Sequence, residues 1–342
     1  MMTGLLKRYV VLLSWSAGAK VKKTLDSLSS MRFLRGCFPV ALGLFLLCNT
    51  LLPSLLQAGE LVSLASFNVE NYLLNSDQGR SPKSYVARRA VKKSLLCMRA
   101  DVVALQEIGS EKALLELKVD LGAESLSYPH HAITKTPDSP IHVALLSRFP
   151  ITHVAHHVTN VFVLYGRVFR PSRGFLEVDI EIPAQKKLKV FVAHLKSKRP
   201  VGHADQWDIR TREALLLRSL VNARMNLDPN QMLAVVGDFN DGPASRTLKF
   251  LRGGKGEMRF KDARPIEGSP KSLQKADSKA GKRSTAWTHF FQDEDMFSRV
   301  DFILLNRALS LLYREEKSYV LDMPYWGQAS DHRPVLAVFE MP

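Results

Sequence analysis

The chain has 342 residues, of which 46% are hydrophobic and 24% charged, so its composition is that of a globular protein and not of a disordered or fibrous one. Its formal charge is +15, from 48 Lys and Arg against 33 Asp and Glu. Only three cysteines are present: Cys37 and Cys48 near the N-terminus, and Cys97. This count excludes a disulfide within the body of the chain, and no CxxC metal site exists.

The first 58 residues are predicted to be an N-terminal extension that ends in a secretory signal peptide. Residues 38–58 are uncharged and follow Arg32 and Arg35. Basic residues, an apolar core and a small residue at the end are typical of such a signal, so we expect the signal proper at about 31–58 and cleavage near Ala58. The mature protein would then be secreted or periplasmic. A retained membrane anchor is the alternative, although Pro53 and nearby polar residues interrupt the apolar run.

The remaining chain is also basic. Residues 1–58 hold seven Lys and Arg and one Asp, which leaves 41 basic and 32 acidic residues in 59–342. A basic body favours polyanionic partners such as nucleic acid, with an anionic lipid headgroup as a second choice. The alternative is a solvated basic surface without a specific partner.

Residues 59–342 are predicted to form one domain of alternating strands and helices. Strands are predicted at 61–67, 102–106, 142–148, 175–182, 188–195 and in the segments MLAVVGDF, RVDFILLN and VLAVF; helices are predicted at 83–99, 110–121 and 204–226. FLEVDIEI alternates apolar and acidic residues, so one face of that strand is expected to be wet. The segment 252–284, rich in Gly, Lys, Arg, Ser and Pro, is predicted to be a loop. The pattern indicates a mixed-sheet α/β layered fold.

Six segments place polar side chains at the end of an apolar run. They are SFNVEN at 66–71, DVVALQE at 101–107, VFVAHLK at 190–196, VVGDFND at 235–241, RVDFIL at 299–304 and SDHRPV at 330–335. Strands that deliver polar groups to the rim of a sheet have this pattern. A set of acidic, amide and imidazole groups suits the binding of a hard divalent metal against a phosphate ester while water attacks it.

Two of these segments carry candidate metal ligands. Glu107 follows its strand, where a carboxylate can bind Mg²⁺ or Mn²⁺. Asn68 is expected to end the first strand, and its amide can both donate and accept. Taken alone, Glu107 is more often a rim salt bridge and Asn68 a turn residue.

GDFND at 237–241 is the sharpest local signal. On an extended backbone Asp238 and Asn240 face the same way, so Asp238 can hold or deprotonate a water that Asn240 steadies. Gly237 permits close approach of the backbone. The alternative is an Asp- and Asn-rich turn without a catalytic role.

SDHRPV supplies a candidate acid. His332 can protonate the phosphoryl oxygens or donate a hydrogen bond to them if a carboxylate fixes its tautomer, and Asp301 is the candidate partner. Asp331 is then free to approach the metal. His194 is a further candidate, although a lone histidine in an apolar run is more often a satisfied core residue. Lys196 and Arg173 are expected to add positive charge that faces the substrate phosphate.

Together and in this order, the segments resemble the endonuclease/exonuclease/phosphatase superfamily, which includes pancreatic-type deoxyribonucleases, abasic-site endonucleases and neutral sphingomyelinases. The resemblance covers about residues 62–340. It implies a four-layer α/β sandwich of two packed mixed sheets flanked by helices, and Mg²⁺-dependent hydrolysis of a phosphoester by in-line attack of water.

The resemblance also implies a role for each candidate residue. Glu107 would be the main metal ligand, with Asn68 beside it and Asp331 nearby. Asp238 would orient the water and Asn240 would contact the phosphate. The pair His332–Asp301 would stabilise the transition state, with His194 near the leaving group.

The sequence therefore predicts an exported Mg²⁺-dependent phosphodiester hydrolase that acts as an endonuclease-like nuclease, is monomeric and has no inferred protein partner. A sphingomyelinase-like or other small-phosphoester phosphodiesterase is the alternative within the class. A non-catalytic protein that binds nucleic acid or a membrane is the alternative outside it. We expect Glu107 and His332 on the rim, so that their replacement by Ala abolishes turnover and leaves folding intact.

Overall fold

The computed structural model describes residues 59–136, 139–254, 256, 258–270 and 286–341. The predicted signal peptide lies outside the described residues, as do positions 255, 257 and 271–284 of the predicted 252–284 loop. The division of the chain at residue 58 therefore stays a prediction.

Thirteen of the strands form two large sheets. Their bounds are β1 Glu60–Tyr72, β2 Val102–Ile108, β3 His130–Ile133, β4 His142–Ser147, β5 Ile151–His157, β8 Phe175–Ile182, β9 Lys186–His194, β10 Met232–Asp238, β11 Lys261–Asp262, β12 Ile266–Gly268, β15 Asp301–Leu305, β16 Tyr319–Leu321 and β17 Val335–Met341. The first sheet has the order β12-β16-β17-β1-β2-β4-β3, and the second has the order β11-β15-β10-β9-β8-β5. Both sheets mix parallel and antiparallel pairs.

Two short hairpins accompany the sheets. They are formed by β6 Phe162–Leu164 with β7 Arg167–Phe169, and by β13 His289–Phe291 with β14 Met296–Ser298. The helices of the described residues are α1 Tyr85–Met98, α2 Glu111–Gly122, α3 Gln206–Leu227, α4 Arg246–Arg252, α5 Arg307–Ser310 and α6 Trp326–Ala329. None of these helices has both the length and the apolar character needed to span a bilayer.

Three apolar clusters hold the layers together. The first packs the facing surfaces of the two sheets, with Val62 and Val190 among its fully buried members. The second joins the outer face of the first sheet to α1 and α2, and the third joins the outer face of the second sheet to α3 and α4. Burial of this apolar area stabilises each layer against the next. The arrangement is the predicted four-layer sandwich.

Strand register brings the polar ends together. In the second sheet, Asp238 lies directly between His194 of the parallel strand β9 and Asp301 of the antiparallel strand β15. In the first sheet, Asn68 lies beside Gln106 of the parallel strand β2, so Glu107 is the next residue at the same edge. The carboxyl ends of β1, β2, β9 and β10 therefore meet at one end of the sandwich.

One expectation about local structure holds in part and two are wrong. The acidic face of β8 is solvent-exposed at Glu181 and partly at Asp179, but Glu177 is fully buried and accepts hydrogen bonds from His157, Lys189 and Arg224. The first strand does not end at Asn68 but continues to Tyr72. The segment 252–284 is not wholly a loop, since it contains β11 and β12.

Gly237 allows the close approach of β10 to β9 just before Asp238. Its φ is +139°, and a Cβ at this position would lie 1.9 Å from the carbonyl oxygen of Ala193. A residue with a side chain is strained in this backbone conformation and would also push β9 and β10 apart.

We therefore expect Gly237→Ala to lower the free energy of unfolding by about 3 kcal/mol or more, measured by urea denaturation. Gly242→Ala is the matched control, because a Cβ there meets nothing within 4 Å. Equal stability of the two variants would contradict the close approach.

Candidate active site

Asn68 connects the two sheets at the centre of the site. Its Nδ2 donates a hydrogen bond to Asp238 Oδ2 at 3.1 Å and lies 3.4 Å from His332 Nε2. The chain beyond Asn68 is irregular: Glu70 and Asn71 have φ values of 45° and 49°, and the pairing with β2 shifts between Asn68 and Tyr72. The Asn68 side chain is buried and therefore held in one place.

His332 and Asp301 form the predicted pair. His332 Nδ1 lies 2.8 Å from Asp301 Oδ2, and both residues are buried. The hydroxyl of Thr288 accepts hydrogen bonds from the backbone N–H groups of Val300 and Asp301 and so fixes the start of β15. The expectation that His332 lies on the rim is wrong, since only 6% of the residue is exposed. Its replacement would leave the Asp301 carboxylate buried without its ion-pair partner, at a cost in stability.

Asp238 and Asn240 meet, but not through an extended backbone. Asn240 follows the strand with a φ of 52°, and its backbone N–H donates to Asp238 Oδ1 at 2.8 Å. Its Nδ2 donates to Asp238 Oδ2 at 3.1 Å and to the carbonyl oxygen of Leu195 at 3.1 Å. The GDFND segment is thus a turn that holds the Asp238 carboxylate, so the turn and the site are the same feature.

His194 borders both carboxylates of the two sheets. Its Nε2 lies 3.4 Å from Asp238 Oδ2 and 3.9 Å from Glu107 Oε1. Burial, and then the positive charges of Arg173 and His332, hold the pKa of His194 well below its usual value. At neutral pH this imidazole is uncharged and can donate one hydrogen bond at Nε2.

The carboxylates nearest to the surface fit a hard divalent cation. Glu107 Oε2 accepts the N–H of Asn71 at 2.8 Å, while Oε1 points toward His194. The pKa of Glu70 is raised by burial first and then by the negative charge of Asp331, with a smaller contribution from Glu107. Asp331 and Glu107 therefore both repel the Glu70 carboxylate, which Lys83 neutralises in part. Carboxylate oxygens are the ligands that Mg²⁺ or Mn²⁺ prefers.

Among the residues that the structure describes, two groups of histidine and carboxylate atoms lie close enough to share an ion. They are Asp238 with Asp301 and His332, and His289 with Asp331 and His332. Glu107 belongs to neither group. Of the three predicted ligands, Asn68 and Asp331 are joined through Ser330, whose hydroxyl donates to the carbonyl oxygen of Asn68 and lies 3.3 Å from Asp331 Oδ1.

Positive side chains surround the Glu107 side of the site. Arg80 lies 3.7 Å from Glu107 Oε2 and donates a short hydrogen bond to Asn71 Oδ1. Burial lowers the pKa of Arg80; Glu107 opposes this shift, and the positive charges of Arg173 and Arg199 add to it. Such a cluster is suited to a phosphate.

Lys196, also predicted to face the substrate, is held within its own loop. Its Nζ donates to the carbonyl oxygens of Ser197 and Arg199 at 3.2 and 2.8 Å. That Lys196 faces the substrate phosphate stays a prediction. Arg173 is buried, and its guanidinium lies 3.5 Å from the carbonyl oxygen of Leu195, beside His194.

Sequence reasoning missed Arg80, Thr288 and His289. Arg80 lies in the polar segment between β1 and α1, where one basic residue gives no signal. Thr288 and His289 follow the low-complexity stretch 271–285, and β13 is only three residues long. The local sequence gives one signal for Thr288 and His289, which is that these two polar residues directly follow Trp287.

The environments of Asp238 and His332 separate their pKa values. Burial raises the pKa of Asp238 to about 6; His332 opposes this shift and Asp301 adds to it. Burial would lower the pKa of His332, but Asp301, Asp238 and Asp331 together raise it to about 10. Near neutral pH the carboxylate can therefore accept a proton while the imidazolium can donate one, which is the division of roles that acid–base catalysis requires.

The family model for the Endonuclease/Exonuclease/phosphatase family matches residues 65–332. The chain belongs to this family. Family membership supports a phosphoester hydrolase of the phosphodiesterase or nuclease type. Among curated proteins, none matches the sequence.

Solved structures share the fold of this domain at low identity. The human Nocturnin catalytic domain with bound sulfate is 16% identical, with a TM-score of 0.57 over 82% of this chain and 95% of that chain. TDP2 from D. rerio, complexed with a single-strand DNA product, is 16% identical, with a TM-score of 0.55 over 82% of this chain and 100% of that chain. Beta toxin from Staphylococcus aureus is 17% identical, with a TM-score of 0.52 over 81% of this chain and 99% of that chain.

Asp301→Asn is expected to lower the rate of phosphodiester hydrolysis by about 10²- to 10⁴-fold, because the amide cannot hold the charge on His332 or fix its tautomer. The rate is measured with a chromogenic diester. Asp120→Asn, an exposed position on α2, is the matched control and should keep the wild-type rate. A rate for Asp301→Asn within threefold of wild type, about 0.65 kcal/mol, would contradict the role of the pair.

A second prediction concerns Glu213 of α3, which is buried beneath the loop that follows β9. Its Oε2 accepts the backbone N–H of Lys196 at 2.5 Å, and burial raises its pKa to about 7 from the ordinary 4.5. The unfolded chain loses this proton near the ordinary value, whereas the folded protein keeps it up to the raised value. Stability is therefore expected to fall as the pH rises through this window and to level off above it.

Glu213→Gln removes the titration and keeps a carbonyl acceptor, so its stability relative to wild type should increase between about pH 4.5 and about pH 7. Urea midpoints across that range measure the effect, with the exposed Glu124→Gln as control. Parallel pH profiles for wild type and Glu213→Gln would show that the buried carboxyl does not titrate in this way.

Proposed function

We propose that this protein is an exported Mg²⁺-dependent phosphodiester hydrolase that acts on nucleic acid as an endonuclease-like nuclease. The observation that carries the proposal is the convergence of N–H groups on one buried carboxylate. Asp238 Oδ2 lies 3.1 Å from Asn68 Nδ2, 3.1 Å from Asn240 Nδ2, 3.4 Å from His194 Nε2 and 3.8 Å from His332 Nε2. This carboxylate is oriented by four side chains from both sheets and their loops.

The chain's own groups divide the steps of hydrolysis among them. Asp238 orients the attacking water and accepts its proton. His332, held by Asp301, donates a hydrogen bond or a proton to the phosphoryl oxygens as negative charge develops there. Neutral His194, with Arg80 and Arg173 beyond it, faces the leaving-group side and adds hydrogen-bonding and positive charge.

Mg²⁺, with Mn²⁺ as a substitute, would be held by Glu107, Asn68 and Asp331. When bound, the ion supplies Lewis-acid polarisation of the phosphoryl group and neutralises its charge. Burial, and then the negative charges of Asp331 and Glu107, raise the pKa of Glu70, and Lys83 offsets this only in part. A divalent cation among these carboxylates would offset the repulsion, which supports this assignment.

Nucleic acid is favoured by charge. The body of the chain is basic, and Arg80, Arg173 and Arg199 cluster on one side of the candidate site. A run of phosphates would find Arg199, which is exposed, and Arg80, which is partly exposed, on this side of the site. The TDP2 structure described above contains a single-strand DNA product. Its similar fold supports nucleic acid as the proposed substrate of this chain.

A phospholipid headgroup is the second candidate, because one surface hairpin is unusually apolar. The hairpin β6–β7 exposes Val163, Tyr165 and Val168, and Val161 lies exposed just before it. Arg167 and Arg170 are exposed in the same stretch. Apolar side chains bordered by basic ones are suited to a membrane surface.

Export is supported by the uncharged segment 38–58 with its preceding arginines.

Nicking of supercoiled plasmid tests the proposal. We expect nicking in Mg²⁺, loss of nicking in EDTA, and loss in Glu107→Gln, which keeps the shape of the side chain and removes its charge. Glu116→Gln, a surface position paired with Arg88, is the matched control.

Absence of nicking in both Mg²⁺ and Mn²⁺, with hydrolysis of sphingomyelin vesicles instead, would overturn the nuclease assignment in favour of the lipid alternative. Absence of any phosphoester hydrolysis by a folded protein would overturn the enzyme assignment as well.

A further inference from the structure

A pair of histidines faces each other across the rim of the candidate active site. The backbone N–H of Phe290 donates to the carbonyl oxygen of Asp331 at 2.9 Å, and that of Arg333 donates to the carbonyl oxygen of Thr288. These bonds make His289 and His332 directly opposite residues of a short antiparallel bridge, with their ring centroids 4.5 Å apart. Directly opposite residues in such a pair are close enough to share a ligand.

The Nε2 atom of each ring faces the same carboxylate. His289 Nε2 lies 3.6 Å from Asp331 Oδ2, and His332 Nε2 lies 3.8 Å from Asp331 Oδ1. One ligand atom from each of the three residues lies within 4.8 Å of the other two. Ligands at zinc-bond lengths around a tetrahedral ion are about 3.4 Å apart, so small side-chain adjustments complete the geometry.

Each ring also has its second nitrogen already engaged. His332 Nδ1 is held by Asp301 Oδ2 at 2.8 Å, and His289 Nδ1 lies 3.3 Å from the hydroxyl of Ser298. A carboxylate or hydroxyl on the far nitrogen orients the ring and directs Nε2 to the metal, as in other histidine metal sites. The Asp331 side chain is 43% exposed and that of His289 20% exposed, so the site opens to solvent and leaves room for a water as fourth ligand.

We propose that His289, Asp331 and His332 form a binding site for a transition-metal ion of the zinc class, and that occupancy of this site inhibits the enzyme. Two imidazoles and one carboxylate favour Zn²⁺ or Co²⁺ over Mg²⁺, which prefers oxygen ligands. The ion would occupy His332 Nε2, the group that the hydrolytic reaction needs free.

Binding has a cost, because the ion must displace the proton from His332. The carboxylates of Asp301, Asp238 and Asp331, which hold that proton, attract a divalent cation through the same field. The predicted inhibition by zinc rests on the proposed function, whereas the predicted binding of zinc does not depend on it.

Calorimetric titration of the full-length protein with Zn²⁺ in excess Mg²⁺ tests the site. We expect one Zn²⁺ per chain in the wild type and an affinity lower by about tenfold or more in His289→Ala. His153→Ala, which removes an exposed histidine on β5, is the matched control and should bind as the wild type does. Equal zinc affinity in His289→Ala and wild type would overturn the proposal.

Two further measurements separate the site from the reaction. Co²⁺ should give the wild type an intense visible absorption typical of a low-symmetry nitrogen and oxygen site, and His289→Gln should lose it; an unchanged spectrum in His289→Gln would overturn the site. In the nicking assay, Zn²⁺ should inhibit the wild type. The fold-inhibition by the same Zn²⁺ concentration should be smaller in His289→Ala, measured against the zinc-free rate of that variant. Zinc binding without inhibition would overturn the regulatory part, and zinc binding without any hydrolysis would instead contradict the proposed function.

Discussion

The buried hydrogen bond between Asn68 and Asp238 is the contact on which the site depends, because it joins the two sheets at their polar end. Asn68 comes from the first sheet and Asp238 from the second, 170 residues apart in the chain. The cluster that fills the space between the sheets is apolar, and apolar contacts fix the separation of the sheets but not a polar geometry. A buried amide and carboxylate must be paired, so this bond also constrains how the sheets can slide relative to each other.

The other groups of the site are placed by this contact and by strand register. Once Asp238 is fixed, its neighbours His194 and Asp301 follow from the pairing of β10 with β9 and β15. His332 then reaches Asp301 from the segment before β17. Isolated charges at this depth would be costly, and each is stabilised by an opposite charge or by a hydrogen bond. The same low-dielectric surroundings separate the pKa values of Asp238 and His332. Burial of the site therefore both requires its charges to be paired and sets their roles in acid–base catalysis.

The layered fold and most of the site could be predicted from the sequence because the signals were local. Apolar runs of strand length ended in Asn, Glu, His or Asp, and strands that run to the same edge bring such ends together. Glu177 could not be predicted as buried, because its partners His157, Lys189 and Arg224 come from three separate elements. Asn240 reaches Asp238 through a left-handed turn that residue spacing does not reveal. Arg80 and His289 lie in segments without apolar periodicity, and their positions depend on long-range contacts.

The central claim is that the two sheets build one site in which a hard cation lies beside the buried imidazole of His332. Diffraction from crystals soaked in Mn²⁺, recorded for its anomalous signal, tests this most directly. The account predicts a single strong peak among the oxygens of Glu107, Asn68 and Asp331. A folded protein with no peak in that space, or with Mn²⁺ bound only at surface carboxylates away from Asp238, would contradict it.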